Sequence, residues 1–199
     1  MARVRAVRAA VGPSVRLGVD ANGGWSVDVA LRTIERLRAF SVYFVEQPVA
    51  PGDPARLREV RARAGLPIVA DESVYGAEDA RVLARAGAAD VFSIYVGKAG
   101  GIGPARKIAA VAQEAGLTST VGSNLELGVA SAAMIHLAMA TPGIGAEEFP
   151  CDIIGPLYYE ADVLGEPLDL TGGRARPPER PGLGVELDPD AVERYRVAG

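Results

Sequence analysis

Short apolar runs alternate with longer amphipathic stretches along most of this chain, the pattern of strands each followed by a helix. Residues 2–11 place Val4, Val7 and Val11 at helical spacing before a Gly12-Pro13 stop, so the first predicted element is a helix. Residues 15–20 read as a strand. Ser26 then caps a helix reaching Ala39, with Ala30, Ile34 and Leu37 on its apolar face. Residues 42–46 form a continuous apolar run of the kind buried on both faces of a parallel sheet. Asp53 and Pro54 supply N-cap and first turn for a helix to Ala64, closed by Gly65. A third strand over 67–71 precedes a helix over 77–86 that ends at Gly87. A fourth strand over 91–96 leads to Gly97-Lys98-Ala99-Gly100-Gly101, and a helix opened by Gly103-Pro104 closes at Gly116. A fifth strand over 118–121 precedes a long apolar helix that stops before Pro142, and a weaker sixth strand is expected over 144–149.

Reference points at these strand ends, Asp20, Glu46, Asp71, Tyr95, Val121 and Glu147, recur every 24 to 26 residues, one βα unit each. The fold class expected is therefore α/β, an incomplete TIM-type (β/α) barrel of about six βα units. Eight such units close a barrel of roughly 250 residues, and this chain opens on a helix without its strand. Two strands are thus expected N-terminal to Met1, leaving the later three-quarters of a barrel. Residues 1–164 are read as the partial barrel. Residues 165–199, rich in Pro, Gly and charge, are read as an extended tail packing back on it, with a last helical turn near 188–195.

Composition narrows the function classes. About half of the residues are apolar and the net charge is −4 without a block of like charges, which offers no electrostatic case for nucleic acid or an anionic membrane. Cys151 is the only cysteine, so no disulfide framework exists and a reducing cytoplasm is the simplest home. The basic start lacks an apolar signal core. The most apolar helix is interrupted by Ser131 and His136 and is too short to span a bilayer.

Three acidic triplets carry the chemistry: Asp20-Ala21-Asn22, Glu46-Gln47-Pro48 and Asp71-Glu72-Ser73. Each follows an apolar run, so Asp20, Glu46 and Asp71 are expected at equivalent ends of three parallel strands. Three carboxylates converging on one point repel unless a cation lies between them, and three oxygen ligands with open positions suit Mg²⁺ (or Mn²⁺). Singly, each acid reads as readily as a turn or helix cap; the repetition in consecutive units is what points to a metal.

Together with Lys98-Ala99-Gly100-Gly101, Gly122-Ser123-Asn124-Leu125-Glu126 and Pro181-Gly182-Leu183-Gly184, these triplets make the chain resemble the enolase superfamily, within its mandelate racemase/muconate lactonizing group. The resemblance implies an α+β cap over a modified (β/α)₇β barrel, Mg²⁺ held by Asp20, Glu46 and Asp71, and Asn22 supporting the first ligand. It also implies an isomerase or lyase that abstracts a proton α to a carboxylate through an enediolate, as racemase, epimerase, cycloisomerase or dehydratase. The branch using a His on the seventh barrel strand is set aside, because residues 118–122 hold none; His136, on the next helix, reads as a packed residue. The muconate-lactonizing-like branch uses lysines. Its sixth-strand Lys falls on Tyr95 here, and Lys98 matches the second Lys of that run. Strand alternation would send Tyr95 and Lys98 to opposite sides, unless Lys98 begins a loop. A phenol, which ionises near pH ~10, serves better as donor or acid than as base. Glu126 matches a carboxylate that this branch sets beside substrate. Glu147, Glu148 and Asp152 fall where specificity is commonly set. Trp25 either shields the site mouth or packs on the rim.

The catalytic candidates are Tyr95, Lys98 and Glu126, and the expected partners are a small carboxylate substrate and a second copy or other chain completing the barrel. The alternative is a truncated or non-catalytic barrel remnant that keeps the metal site but lacks the general-base lysines.

Overall fold

The computed structural model describes residues 1–197; the last two residues of the 165–199 tail lie outside the described residues. The elements run α1 (Ala2–Val11), β1 (Leu17–Asp20), α2 (Val27–Leu37), β2 (Val42–Glu46), α3 (Pro54–Ala64), β3 (Ile68–Ala70), α4 (Ala77–Ala86), β4 (Val91–Ile94), α5 (Val96–Ala99), α6 (Ile102–Glu114), β5 (Thr118–Val121), α7 (Gly128–Ala140) and α8 (Pro189–Tyr195). Short 3₁₀ turns fall at Arg38–Phe40, Gly155–Tyr158 and Thr171–Gly173. The chain divides into two compact units, one of Met1–Ser93 with Val111–Thr118, the other of Ile94–Ala110 with Ser119–Gly199.

In the first unit β1, β2, β3 and β4 pair in that order, all parallel. Parallel strands need crossover helices, which α2, α3 and α4 supply. The caps are the ones the sequence shows. The Ser26 hydroxyl accepts from the Val29 N–H, Asp53 accepts from Ala55, and Gly65 and Gly87 close α3 and α4 in left-handed conformation. Val45, Ile68, Val69, Ala70 and Phe92 are buried in the sheet, and Ala30, Ile34 and Leu37 of α2 and Leu57 and Val60 of α3 are buried as well. Gly18 is opposite Phe44, and a side chain at Gly18 would meet that ring at 2.2 Å, so the ring lies flat across β1 only because position 18 is glycine. α1 buries no residue and is pinned by Arg8, whose guanidinium donates to the carbonyls of Gly12, Val15, Phe40 and Ser41.

In the second unit the apolar α7 buries Ala132, Met134, Ile135 and Leu137. The Asp162 carboxylate accepts from the Gly128 N–H at its start, at 2.9 and 3.1 Å, so α7 is capped from 34 residues away. The expected sixth strand is not a strand. Ile144 makes one parallel bridge with Ser119, and the chain turns from Gly145 onward, because the Glu148 and Phe149 N–H groups both bond back to Gly145. Pro189–Tyr195 is a helix where a last helical turn is expected, and Asp188 caps it. Among the described residues no helix is long and apolar enough to cross a membrane.

Candidate active site

Strand register and strand ends set the three acids of the first unit. Asp20 lies opposite Glu46, and Glu46 lies opposite Val69. Asp71 comes directly after the end of β3, and its negative charge acts on Asp20. The C-terminal ends of β1, β2 and β3 therefore carry Asp20, Glu46 and Asp71.

Asn22, in left-handed conformation at φ 43°, folds back on Asp20. Its backbone N–H reaches Asp20 Oδ1 at 2.8 Å and its amide Nδ2 reaches Oδ2 at 2.7 Å. The same Nδ2 lies 3.3 Å from Glu72 Oε1, so one amide links the first triplet to the third. Partial burial pushes the Asp20 carboxyl up, the Asn22 hydrogen bonds oppose that, and the negative charges of Glu72 and then Asp71 add to the rise. Glu72 Oε2 is buried and has no hydrogen-bond partner among the described residues. A carboxylate oxygen sealed from water without a donor costs about 1–3 kcal/mol or more.

The donor chemistry here, carboxylate and amide oxygens with one buried oxygen lacking a donor, suits a hard divalent cation. The carboxylates are not drawn into a cage: among the described residues no three His, Cys, Asp or Glu side chains stand close enough to hold a metal. What the fold supplies is the alignment.

Two residues inside the triplets escaped the sequence reading. Glu72 does because strand alternation turns it away from Asp71; β3 ends at Ala70, and the turn that follows frees residue 72 from that rule. Gln47 is fully buried. Its Oε1 accepts from the Asp71 N–H at 2.9 Å and the Ser73 N–H at 3.2 Å, while its Nε2 donates to the Val49 carbonyl at 2.8 Å and Ser73 Oγ at 2.7 Å. A buried amide in a sequence gives little sign of such a role, beyond standing next to an acid in a strand-end triplet.

The second unit holds the other candidates. β4 ends at Ile94, and Tyr95, buried, becomes the N-cap of the four-residue α5. Strand alternation thus does not reach Lys98. The helical turn folds Lys98 back, and its Nζ stands 4.1 Å from the centre of the Tyr95 ring, a cation–π contact. Opposite sides would hold only in a continuing strand; Lys98 lies past the strand end, and the two are together.

Glu126 is held in a tight turn by the Ser123 hydroxyl at 2.7 Å and the Asn124 N–H at 3.0 Å, with its Oε1 facing Gly97. Gly155 packs on its backbone so closely that a side chain there would lie 2.1 Å from the Glu126 carbonyl oxygen. Asp152 follows the bridge region, its N–H on the Val121 carbonyl; partial burial and then the Glu126 charge push its carboxyl up. Glu147 and Glu148 are exposed. His136 is half-buried in α7 with its Nε2 3.2 Å from the Leu183 carbonyl oxygen, a packed position. Trp25 is half-buried in the turn after β1, its N–H on the Pro48 carbonyl.

A parallel α/β sheet with carboxylates aligned at its strand ends defines an incomplete barrel of the enzyme-bearing kind. The family model for enolase C-terminal domain-like proteins matches residues 1–191, and the chain belongs to that family. It is 37% identical over 195 residues to muconate cycloisomerase 1 of Rhodococcus opacus, covering 98% of this chain and 51% of that protein. It is 40% identical over 203 residues to o-succinylbenzoate synthase of Thermobifida fusca, covering 100% of this chain and 62% of the relative. The crystal structure of N-succinyl Arg/Lys racemase from Bacillus cereus superposes with a TM-score of 0.92 at 32% identity, over 98% of this chain and 52% of the other. The chain thus spans about half the length of the curated relatives it matches first, which fits an incomplete barrel. These relatives are cycloisomerases, a synthase and racemases of the muconate lactonizing group.

Proposed function

We propose that this chain is part of a Mg²⁺-dependent enzyme that abstracts the proton α to a carboxylate through an enediolate, giving racemisation, epimerisation, cycloisomerisation or elimination. One observation carries the reading: Asp20 and Glu46 are partners at the ends of β1 and β2, and Asp71 directly follows the end of the neighbouring β3, where its charge acts on Asp20. Asp20, Glu46 and Asp71 are the groups that would hold the metal, with Mn²⁺ as a substitute. When bound, the ion supplies a Lewis acid that offsets the charge developing on the substrate carboxylate, without which so weak a carbon acid does not ionise.

The chain's own residues divide the remaining work. Asn22 fixes the orientation of Asp20 through two hydrogen bonds. Lys98 and Tyr95 are assigned to proton handling, Nζ taking or returning a proton and the phenol donating a hydrogen bond. The cation–π contact places Nζ at the strand end against a buried ring and favours its protonated form, the state that returns a proton; to take one, Nζ must first be neutral. Glu126, its carboxylate already oriented by Ser123 and Asn124, is assigned to positioning substrate. The substrate class is a small carboxylic acid. β1 pairs only with β2 among the described residues, so its other edge is open to a strand from a second copy or a partner.

Calorimetry tests the reading directly. Mg²⁺ and Mn²⁺ should each bind at one site, and Asp71→Asn should weaken Mg²⁺ at least a hundredfold, about 2.7 kcal/mol. An intact protein that takes up neither ion, or a variant that binds as tightly, would sink the metal assignment.

A further inference from the structure

The alignment of Glu46 with Asp71 depends on two neighbouring strand ends keeping a fixed offset, and ladder hydrogen bonds alone do not reach that far. The last β2–β3 register pair is Glu46 with Val69, and β3 ends at Ala70, one residue before Asp71. Beyond that point one side chain bridges the gap. The Gln47 amide uses both lone pairs of Oε1 and both protons of Nε2: it accepts from the Asp71 and Ser73 N–H groups and donates to the Val49 carbonyl and Ser73 Oγ. Its own N–H donates to the Val69 carbonyl at 2.9 Å. Every bonding capacity of this amide is filled, and the side chain is wholly buried.

The backbone at Gln47 has φ 30°, in the left-handed region that a residue with a side chain enters only at a cost. An ordinary turn would place Gly or Asn there. A residue long enough to reach the next strand is found instead, which indicates that the reach outweighs the strain. Ser73 extends the clamp, because its N–H and its hydroxyl both bond to the same amide.

We propose that Gln47 is a positioning residue for cation binding: it fixes the main chain of Asp71 relative to the end of the Glu46 strand, so that only side-chain movement is left to close the two carboxylates on one ion. This rests on the metal site proposed above. The amide touches neither ion nor substrate; it acts through the Asp71 and Ser73 N–H groups. Preorganisation of this kind raises affinity by removing an ordering cost from the binding step.

The test uses the full chain and Mg²⁺ itself. Gln47→Met keeps length and burial but removes all four bonds, and it should weaken Mg²⁺ at least tenfold by calorimetry. It should also speed hydrogen exchange of the Asp71 amide at least tenfold in metal-free protein. Gln47→Glu retains the oxygen that faces Asp71 and Ser73 and should keep Mg²⁺ affinity at or above that of the unaltered chain. Val60→Ala, a core truncation in α3, should lower the unfolding temperature and leave Mg²⁺ affinity unchanged, which separates positioning from loss of stability. Should Gln47→Met fail to fold, Ser73→Ala takes its place, with an expected loss of about threefold. Mg²⁺ affinity unchanged in Gln47→Met, or in Ser73→Ala as its substitute, overturns the proposal, and so does a Gln47→Glu loss as large as that of Gln47→Met. If the unaltered chain binds Mg²⁺ and only these outcomes fail, the positioning role falls and the metal site stands; if it binds none, both fall.

Discussion

The two ends of the sheet in the first unit treat carboxylates in opposite ways. At the N-terminal end of β3, Asp90 has both oxygens engaged: Oδ1 by the Arg61 guanidinium at 2.7 and 2.8 Å, and Oδ2 by the Ile68 N–H at 2.8 Å. Arg61 also donates to the Gly87 carbonyl, which ties α3, the end of α4 and the start of β3 together. At the C-terminal end, Asp20 is raised by burial and by the charges of Glu72 and Asp71, and Glu72 keeps a buried oxygen with no donor among the described residues. Equal chemistry is thus balanced at one end and left in tension at the other. In barrels of this kind the first end serves stability and the second serves function.

Substitutions can break or sharpen that contrast. The largest effect on stability belongs to the closed end. Asp90→Ala strands a guanidinium and a backbone N–H, and should cost about 2 kcal/mol in urea unfolding, discounted for the partial exposure of the pair, with Mg²⁺ affinity unchanged. Next comes Arg61→Lys, which keeps the charge but cannot span Asp90 and Gly87 together; about 1 kcal/mol is expected by the same measurement. If either variant altered Mg²⁺ binding, the separation of the two ends would fail.

The smallest effect lies at the open end and has the opposite sign. Because the folded-state carboxyl of Asp20 is raised, ionised Asp20 opposes folding: stability is greatest below the ordinary carboxylate range and is lost as pH rises through the raised value. Asp20→Asn should therefore raise the unfolding temperature of metal-free protein at neutral pH by about 1–2 °C, kept small by solvent screening, and should have no such effect near pH ~3. Under the proposed metal site, Mg²⁺ should raise the unfolding temperature of the unaltered chain, and Asp20→Asn should abolish that rise. A destabilised Asp20→Asn at neutral pH would mean that the three acids are not in tension.

Much of this was readable before any coordinates. Val42–Glu46 as a buried strand, the Asp53-Pro54 start and Gly65 end of α3, and the Asp188 cap of α8 are local signals that tertiary contacts did not override. Where local pattern misled or left a choice, turns decided the backbone. Residues 144–149 have strand-like composition but only one bridge, because β-turn bonds at Gly145 outcompete a ladder there. The sequence left Lys98 either opposite Tyr95 or past the strand end; the strand stops at Ile94, and a single helical turn over Val96–Ala99 brings its ammonium onto the Tyr95 ring.

The sequence by itself determined the repeat of about 25 residues and the carboxylate at each of three strand ends, because hydrophobic periodicity and turn residues act within one βα unit. Only the tertiary structure decided that Glu72 joins Asp20 through Asn22, and that Gln47 clasps Asp71 from the neighbouring strand. Those contacts join residues 24 to 50 positions apart in sequence. They depend on where each strand stops, which the register and packing of its neighbours settle and no local pattern records.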